Sequence, residues 1–156
     1  MQIQQLMTTD LKTCNPDQTL DAAARVMWEC DCGVVPVVAN DRVVGMITDR
    51  DICMAAYTQN RLLTQIRIST IGMKPVITVR PDDTLASAES LMQRHQVRRL
   101  AVVDASGRLV GIVSMGDLAR VAGRNPRNVQ SDEITRTLAA ISEPRAGTRG
   151  ESRAHT

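Results

Sequence analysis

One seven-residue pattern occurs twice in the chain and brings together groups that can bind a sugar phosphate. It reads Gly-x-x-Thr/Ser-x-x-Asp, at residues 45–51 and again at residues 111–117. A β-branched run leading to the hydroxyl residue predicts a strand, and the Asp then falls in the first turn of a predicted helix. A carboxylate there can accept hydrogen bonds from a ribose diol, and the hydroxyl and the helix N-terminal amides suit a phosphate.

The same residues also have a purely structural interpretation. Thr48 and Ser114 are good helix N-caps, and the helix dipole favours Asp51 and Asp117 in the first turn. Capping is common, so a single occurrence would favour that interpretation. Because the pattern recurs at the same place in a repeat, we favour a binding site.

Three arginines near the two patterns are candidate phosphate ligands. Arg98 and Arg99 lie at the start of the second predicted hairpin, where the first copy has Gly33 and Val34. A guanidinium fork can bind phosphate bidentately, although Arg99 could instead snorkel or pair with an acid. Arg50 lies inside the first pattern, where the second has Gly116. We therefore expect two unequal sites, or only one that functions.

Four cysteines invite a redox or metal interpretation. The spacing of Cys30 and Cys32 matches neither a zinc ribbon nor a thioredoxin-like centre. A disulfide between Cys14 and Cys30 is conceivable, but in a chain without a secretion signal we favour buried free thiols. A redox switch through Cys14 and Cys30 or Cys32 stays open as an alternative.

The sequence supports neither catalysis nor a metal site. Its two histidines, His95 and His155, are far apart, and His95 is expected at a helix end. We find no Ser/His/Asp arrangement, no P-loop and no general base suited to neutral pH. We therefore predict no enzyme activity, no bound metal and no required cofactor.

An internal repeat organises the chain. Residues 13–27 (TCNPDQTLDAAARVM) align with residues 78–92 (TVRPDDTLASAESLM) at an offset of 65, and residues 42–52 align with residues 108–118 at an offset of 66. Each copy predicts β-α-β-β-α, with Thr19 or Thr84 as N-cap. The predicted hairpin turns are 40–41 and 105–107. Copies this small should pack together around a pseudo-two-fold axis as an α/β (α+β) fold.

These patterns define domain boundaries. The first repeat spans residues 5–58 and the second spans residues 73–123. Residues 59–72 form a linker with one strand at 66–69. Residues 124–156 hold a short helix capped by Ser131, with Ile134, Leu138 and Ile141 on one face, and from residue 143 a tail whose composition predicts disorder.

Composition excludes several classes of function. Of 156 residues, 43% are hydrophobic, but there is only one Trp, one Tyr and no Phe, so nucleic-acid binding by base stacking is nearly excluded. A net charge of +2 is too small to indicate a polyanionic partner. The N-terminus shows no signal-peptide pattern and the apolar run at 34–39 is too short to span a bilayer, so we expect a cytoplasmic protein without membrane contact.

As a set, these motifs resemble the CBS-domain family, named for cystathionine β-synthase. The resemblance covers about residues 5–123 and is carried by residues 78–85, 95–104 and 111–118 with their first-copy equivalents. A tandem pair of this kind is called a Bateman module. The resemblance implies a regulatory module that binds adenosine-containing ligands such as AMP, ADP or ATP in two clefts between the copies.

The resemblance also implies roles for individual residues. The motif Asp would hold the ribose hydroxyls and the Thr or Ser would lie near ribose or phosphate, which assigns Asp51 with Thr48 and Asp117 with Ser114. The resemblance further implies that Met46 and Ile112 line the adenine pocket and that the loop residues Thr9 and Lys74 lie close to it. It also implies that Arg98 and Arg99 contact phosphate.

We therefore predict a stand-alone, non-catalytic sensor that signals to an unknown effector protein in trans. The resemblance implies a homodimer, whose interface Ile134, Leu138 and Ile141 could cover or extend. The alternatives are a stress-related structural or interaction protein with degenerate clefts and the cysteine-based redox switch.

Overall fold

The structure is a computed structural model that describes residues 1–73, 75–124 and 131–144. The strands are, in chain order, β1 (Val34–Ala39), β2 (Arg42–Thr48), β3 (Thr78–Val79), β4 (Arg99–Val103) and β5 (Leu109–Ser114). The helices are α1 (Leu20–Glu29), α2 (Asp49–Gln59), α3 (Leu85–His95), α4 (Met115–Arg124) and α5 (Ser131–Ser142). The predicted mixed α/β fold of two repeats is confirmed.

Each repeat is built around an antiparallel hairpin with the same irregularity. β1 pairs with β2 and β4 with β5, and the register shifts after Val37 in the first hairpin and after Val102 in the second. The first turn places Asn40 and Asp41 at positive φ, which the twist of a two-residue hairpin loop requires. The turns therefore lie where the sequence predicted them.

The strand that opens each repeat differs in length between the two copies. β3 pairs in parallel with β4. In the first repeat the corresponding strand is reduced to a single parallel bridge between Cys14 and Val37.

The first helix of each repeat buries the face that the sequence predicted. Leu20, Ala23 and Met27 are buried on α1, and the corresponding residues of α3 are buried in the second core. The Thr84 hydroxyl caps α3 by accepting from Ser87 N. Thr19 occupies the N-cap position of α1 but makes no capping bond, and its hydroxyl donates to the Asp21 carboxylate.

The repeats exchange their leading segments. Ile3, before the first repeat, is fully buried in the core of the second, whereas Ile66 and Ile68 are fully buried in the core of the first. The two hairpins also meet at equivalent positions, through an antiparallel bridge between Arg42 and Arg108. Each repeat therefore needs a segment of chain that lies outside it.

The prediction of a strand at residues 66–69 is wrong. A 3-10 turn, Ile68–Thr70, begins within this segment, and another, Leu63–Gln65, precedes it. Its amides bond to loop carbonyls of the first repeat, as Ile68 N does to Gln18 O, so no extended ladder forms.

Helix α5 packs on the second repeat. Its residue Ile141 is buried and Ile134 packs beside it against the second core, but Leu138 is 47% exposed. Only two of the three residues predicted to share an apolar face therefore pack. The helix begins at Ser131 itself. The tail was predicted from residue 143, and its part beyond residue 144 lies outside the described residues.

Candidate functional site

The two motifs lie where the second strand of each hairpin runs into a helix. Thr48 ends β2 and Ser114 ends β5, opposite Val34 and Arg99 respectively in the strand register. We call Met46, Thr48, Arg50 and Asp51 with Gly33 the first candidate site. The second candidate site comprises Ile112, Ser114 and Asp117 with Thr9 and Arg98.

Hydrogen bonds at the first candidate site form a capping box. Asp51 Oδ2 accepts from Thr48 N at 2.9 Å and from Thr48 Oγ1 at 2.7 Å, and Asp51 N donates back to Thr48 Oγ1 at 3.2 Å. The structural interpretation of these residues is therefore correct, but it uses only one carboxylate oxygen. Asp51 is exposed, and its Oδ1 accepts no hydrogen bond from the described residues. That oxygen can still accept from a ligand hydroxyl.

The second candidate site repeats this geometry with one addition. Asp117 Oδ2 accepts from Ser114 N at 2.7 Å and from Ser114 Oγ at 2.6 Å. Its Oδ1 pairs with Arg120, and the Asp117 residue is only 7% exposed. In the first repeat Met54 occupies the position of Arg120. The sequence analysis missed this arginine, although its i,i+3 spacing from Asp117 on a helix was a usable signal.

A methionine covers each motif glycine. A Cβ on Gly45 would lie 2.2 Å from Met73 Sδ, and one on Gly111 would lie 2.7 Å from Met7 Sδ. Both distances are below van der Waals contact, so only glycine lets these methionines lie against the strands. The segments that lead into the two repeats therefore cover the motif strands directly.

Arg99 reaches from the second repeat toward the first candidate site. The position that a Cβ of Gly33 would take lies 3.7 Å from Arg99 Nη2 and 3.3 Å from Asp49 Oδ2. Arg99 is half-buried and forms no ion pair with the described residues. The structure thus brings Gly33 and Arg99 together, and it adds Asp49, which the sequence analysis did not single out.

The other predicted residues are placed as follows. Thr8 forms a two-bond antiparallel bridge with Ile112, so Thr9 lies directly beside the second candidate site. Arg50 and Arg98 are exposed and form no ion pair with residues of known placement. Lys74 lies outside the described residues.

All four cysteines are free, and the prediction that they are buried holds for Cys14 alone. Burial raises the pKa of the Cys14 thiol, which lowers its reactivity. Cys30 caps the end of α1 and Cys53 lies on the solvent side of α2, so both are exposed. No group of three His, Cys, Asp or Glu side chains within the described ranges is placed to hold a metal ion.

A polar cleft of about 350 Å³ lies at the far end of the second hairpin. It is lined in part by Arg42, Arg80, Asp83 and Asp104 and contains none of the predicted residues. Hydrogen bonds from Ser106 and Arg108 hold the pKa of Asp104 well below its usual range. In the part of the chain described, no helix combines the length and apolar character needed to cross a bilayer.

Sequence comparison finds relatives over most of the chain. The family model described as CBS domain matches residues 3–57 and 68–124. The CBS domain-containing protein YhcV of Bacillus subtilis is 39% identical over 117 residues, which cover 75% of this chain and 82% of YhcV. A homoserine O-acetyltransferase of Methanococcoides burtonii is 34% identical over 119 residues, which cover 76% of this chain and only 23% of that enzyme.

Solved structures share the fold. The CBS domain protein TA0289 of Thermoplasma acidophilum aligns with a TM-score of 0.75 at 26% identity, over 90% of this chain and 75% of TA0289. CBSX2 in complex with AMP aligns at 0.66 and 27% identity, over 81% and 98% of the two chains. The CBS domain pair of MJ0100 with 5-methylthioadenosine and S-adenosyl-L-methionine aligns at 0.71 and 26% identity, over 80% and 98%.

Proposed function

The chain belongs to the CBS-domain family as a tandem pair of CBS domains, and on that premise we propose that it is a non-catalytic regulatory module that binds an adenosine-containing ligand between its repeats. One observation carries the proposal: a hydroxyl and a carboxylate stand together at the same strand-to-helix junction in both repeats. The complexes of CBSX2 with AMP and of MJ0100 with two adenosyl compounds support this ligand class.

We propose that the first candidate site binds the ligand more tightly. Asp51 is exposed and has one unbonded oxygen for the ribose hydroxyls, and the Arg99 guanidinium approaches from the other repeat without an acid paired to it among the described residues. A phosphate there would gain a charge-assisted hydrogen bond. At the second candidate site a ligand must compete with Arg120 for Asp117.

We further propose that binding shifts the packing of the two repeats and so alters how the chain meets an effector protein in the cytoplasm. A ligand that bridges the repeats favours the arrangement in which both contribute contacts. Gly33 and Arg99, from different repeats, approach each other at the first candidate site, so a ligand there would touch both. Homodimer formation is part of the same proposal.

The test is calorimetric titration of the full chain with AMP, ATP and S-adenosylmethionine. We expect saturable binding of at least one of them, weakened about tenfold or more by Asp51→Asn, because a hydrogen bond to a charged group is worth about 1.5–3 kcal/mol. Asparagine keeps an acceptor for the Thr48 amide, so the cap of α2 survives the change.

Two variants complete this test. Asp117→Asn should weaken binding less, and Asp82→Asn, an exposed acid in the turn before α3, should not change it. If none of the three compounds at millimolar concentration gives a heat of binding or a shift in melting temperature, the sensor proposal is contradicted. That result would favour an interaction protein with degenerate clefts.

A further inference from the structure

The polar cleft at the turn of the second hairpin is separate from both candidate sites. Arg42 begins β2 and Thr48 ends it, so along the strand the two residues lie roughly 20 Å apart. The turn and Ser114 lie at opposite ends of β5 in the same way. We call this cleft of about 350 Å³ the turn cleft. It is lined by Arg42 of the first repeat and by residues 78–80, 83 and 103–107 of the second.

Two arginines that line the turn cleft come from different repeats. A Cβ on Gly107 would lie 3.6 Å from Arg42 Nη1, so the Arg42 guanidinium lies against the turn of the second hairpin. Arg80 lines the same cleft and is exposed. Neither arginine forms an ion pair within the described residues. The turn cleft therefore holds two arginines with which no acid is paired there.

The backbone bridge between the two hairpins places Arg42 opposite another arginine. In an antiparallel bridge the side chains of opposite residues lie on the same face, where like charges destabilise the pair. Arg42 is bridged to Arg108 in this way. Arg108 has a counter-charge, since its Nε lies 3.0 Å from Asp104 Oδ2. An anion in the turn cleft would supply the counter-charge that Arg42 lacks.

The first repeat shows that the turn does not need an arginine. Asn15 and Gln18 occupy the positions of Arg80 and Asp83, and the same bond closes both turns: Asn15 N donates to Gln18 Oε1 at 2.9 Å, and Arg80 N donates to Asp83 Oδ2 at 2.7 Å. Asn15 Oδ1 also accepts from the amides of Asp17 and Gln18. A guanidinium has no acceptor, so Arg80 cannot make those two bonds. Local turn chemistry therefore favours asparagine and does not explain Arg80.

The two acids of the turn cleft have different amounts of free bonding capacity. Asp104 is occupied by its own turn: Oδ1 accepts from Ser106 and from the Arg108 amide, and Oδ2 accepts from Arg108 Nε. Asp83 uses Oδ2 for the Arg80 amide, and its Oδ1 accepts no hydrogen bond from the described residues. Asp83 Oδ1 can therefore accept from a ligand hydroxyl beside the arginines.

We propose that the turn cleft is a binding site for a small phosphorylated compound that carries hydroxyl groups, of the sugar phosphate class. Arg42 and Arg80 bind the phosphate, whose double charge at neutral pH matches two guanidinium groups. Asp83 Oδ1 accepts from a hydroxyl of the same ligand. The cleft volume of about 350 Å³ lies at the small end of the range for ligand pockets, and no aromatic residue lines it to stack a base.

A ligand in the turn cleft would join the two repeats. Arg42 belongs to the first repeat and Arg80 to the second, and the candidate sites lie at the other end of the hairpins. Binding there favours the arrangement in which both arginines reach the phosphate. The inference goes beyond the proposed function and needs no adenosine compound.

The test is titration of the full chain with glucose 6-phosphate, followed by the NMR shifts of the backbone amides. Sulfate, a doubly charged anion without hydroxyl groups, is titrated in parallel at matched ionic strength. We expect saturable shifts with glucose 6-phosphate at millimolar concentration in residues 80–83 and 105–107, and none at Thr48 or Ser114. Sulfate should shift the same amides with weaker affinity.

Variants assign the two ends of the ligand. Arg80→Asn introduces the residue of the first repeat, which forms the same turn, and should weaken glucose 6-phosphate binding about tenfold. Arg94→Gln removes the same charge from an exposed position of α3 outside the cleft and should change nothing. Asp83→Asn keeps an acceptor for the Arg80 amide, and it should weaken binding of glucose 6-phosphate but not of sulfate.

Several results would overturn the proposal. Glucose 6-phosphate causes no saturable shift, or it shifts Thr48 and Ser114 instead, in which case it occupies the candidate sites. Equal weakening by Arg80→Asn and Arg94→Gln would show that only net charge matters. Sulfate binding as tightly as glucose 6-phosphate would show that the cleft holds an adventitious ion only. Calorimetry with adenosine compounds tests the proposed function separately, so the two proposals can fail independently.

Discussion

The carboxylates of Asp51 and Asp117 use one oxygen in the same way and the other differently. One oxygen caps the helix in both repeats, with nearly the same bond lengths. The other is unbonded in Asp51, within the described residues, and is held by Arg120 in Asp117. Capping therefore leaves one Asp51 oxygen for the ligand that we propose, whereas the corresponding oxygen of Asp117 is held by one neighbouring residue, Arg120.

Replacing Arg120 should therefore strengthen the second candidate site. In an Asp51→Asn background, which weakens the first candidate site, Arg120→Met should raise the affinity for AMP about two- to fivefold, the range expected for loss of an ion pair whose arginine is exposed. Calorimetry measures this directly. Arg124→Met, on the same helix, should change nothing, and weaker binding in Arg120→Met would mean that Arg120 contacts the ligand.

At the scale of elements, α5 completes the second repeat over a buried acid. Glu89 of α3 is 5% exposed, and its Oε1 accepts no hydrogen bond from the described residues. Burial, with a smaller contribution from Glu133 on α5, raises the pKa of Glu89 above its ordinary value of 4.5. The folded chain therefore binds this proton more tightly than the unfolded chain does.

This raised pKa predicts how stability depends on pH. The stabilisation that the protonation of Glu89 contributes to the folded chain is present below pH 4.5 and is lost as pH rises through the folded-state pKa. Glu89→Gln should remove that loss and stabilise the chain by on the order of 1 kcal/mol at pH 7. Urea unfolding between pH 4 and pH 8 tests it. Glu133→Gln should act in the same direction but less, and equal stability of Glu89→Gln and the original chain at pH 7 would contradict the account.

The whole molecule is held together by the exchange of leading segments. Ile3 and Ile68 occupy equivalent positions in the alignment of the repeats, and each is fully buried in the core of the repeat that it does not precede. The bridges between Gln2 and Thr84 and between Thr19 and Arg67 are equivalent in the same way. Neither repeat can complete its core alone, so the two should unfold together.

Truncating either residue should destabilise both repeats. We expect Ile3→Ala and Ile68→Ala each to cost about 2–5 kcal/mol, the usual range for a buried Ile. Hydrogen exchange at the β1 amides and the β4 amides, which belong to different repeats, should accelerate by similar factors in each variant. Acceleration confined to the repeat that holds the truncated residue would show that the repeats unfold independently.

Much of the fold follows from the sequence because its signals are local. Apolar spacing places α1 and α3, Pro-Asp turns and Thr84 mark a helix start, and the Asn40-Asp41 turn sets one hairpin. The segment at residues 66–69 was misjudged because β-branched residues favour a strand, but a ladder needs a neighbouring strand and the segment forms only an isolated bridge, between Arg67 and Thr19. Burial of the cysteines was likewise misjudged, since the side on which α2 meets its core places Cys53 in solvent.

The sequence by itself determined the repeat, the family and the residue types at both candidate sites, since each of these is a pattern of spacing and identity. Only the tertiary structure decided that Arg99 of one repeat approaches Gly33 of the other, and that α5 covers one helical face and leaves Trp28 exposed on its counterpart. These are contacts between side chains far apart in the sequence or turned toward one another by packing. No local periodicity records them, because they depend on how two nearly identical repeats are placed against each other.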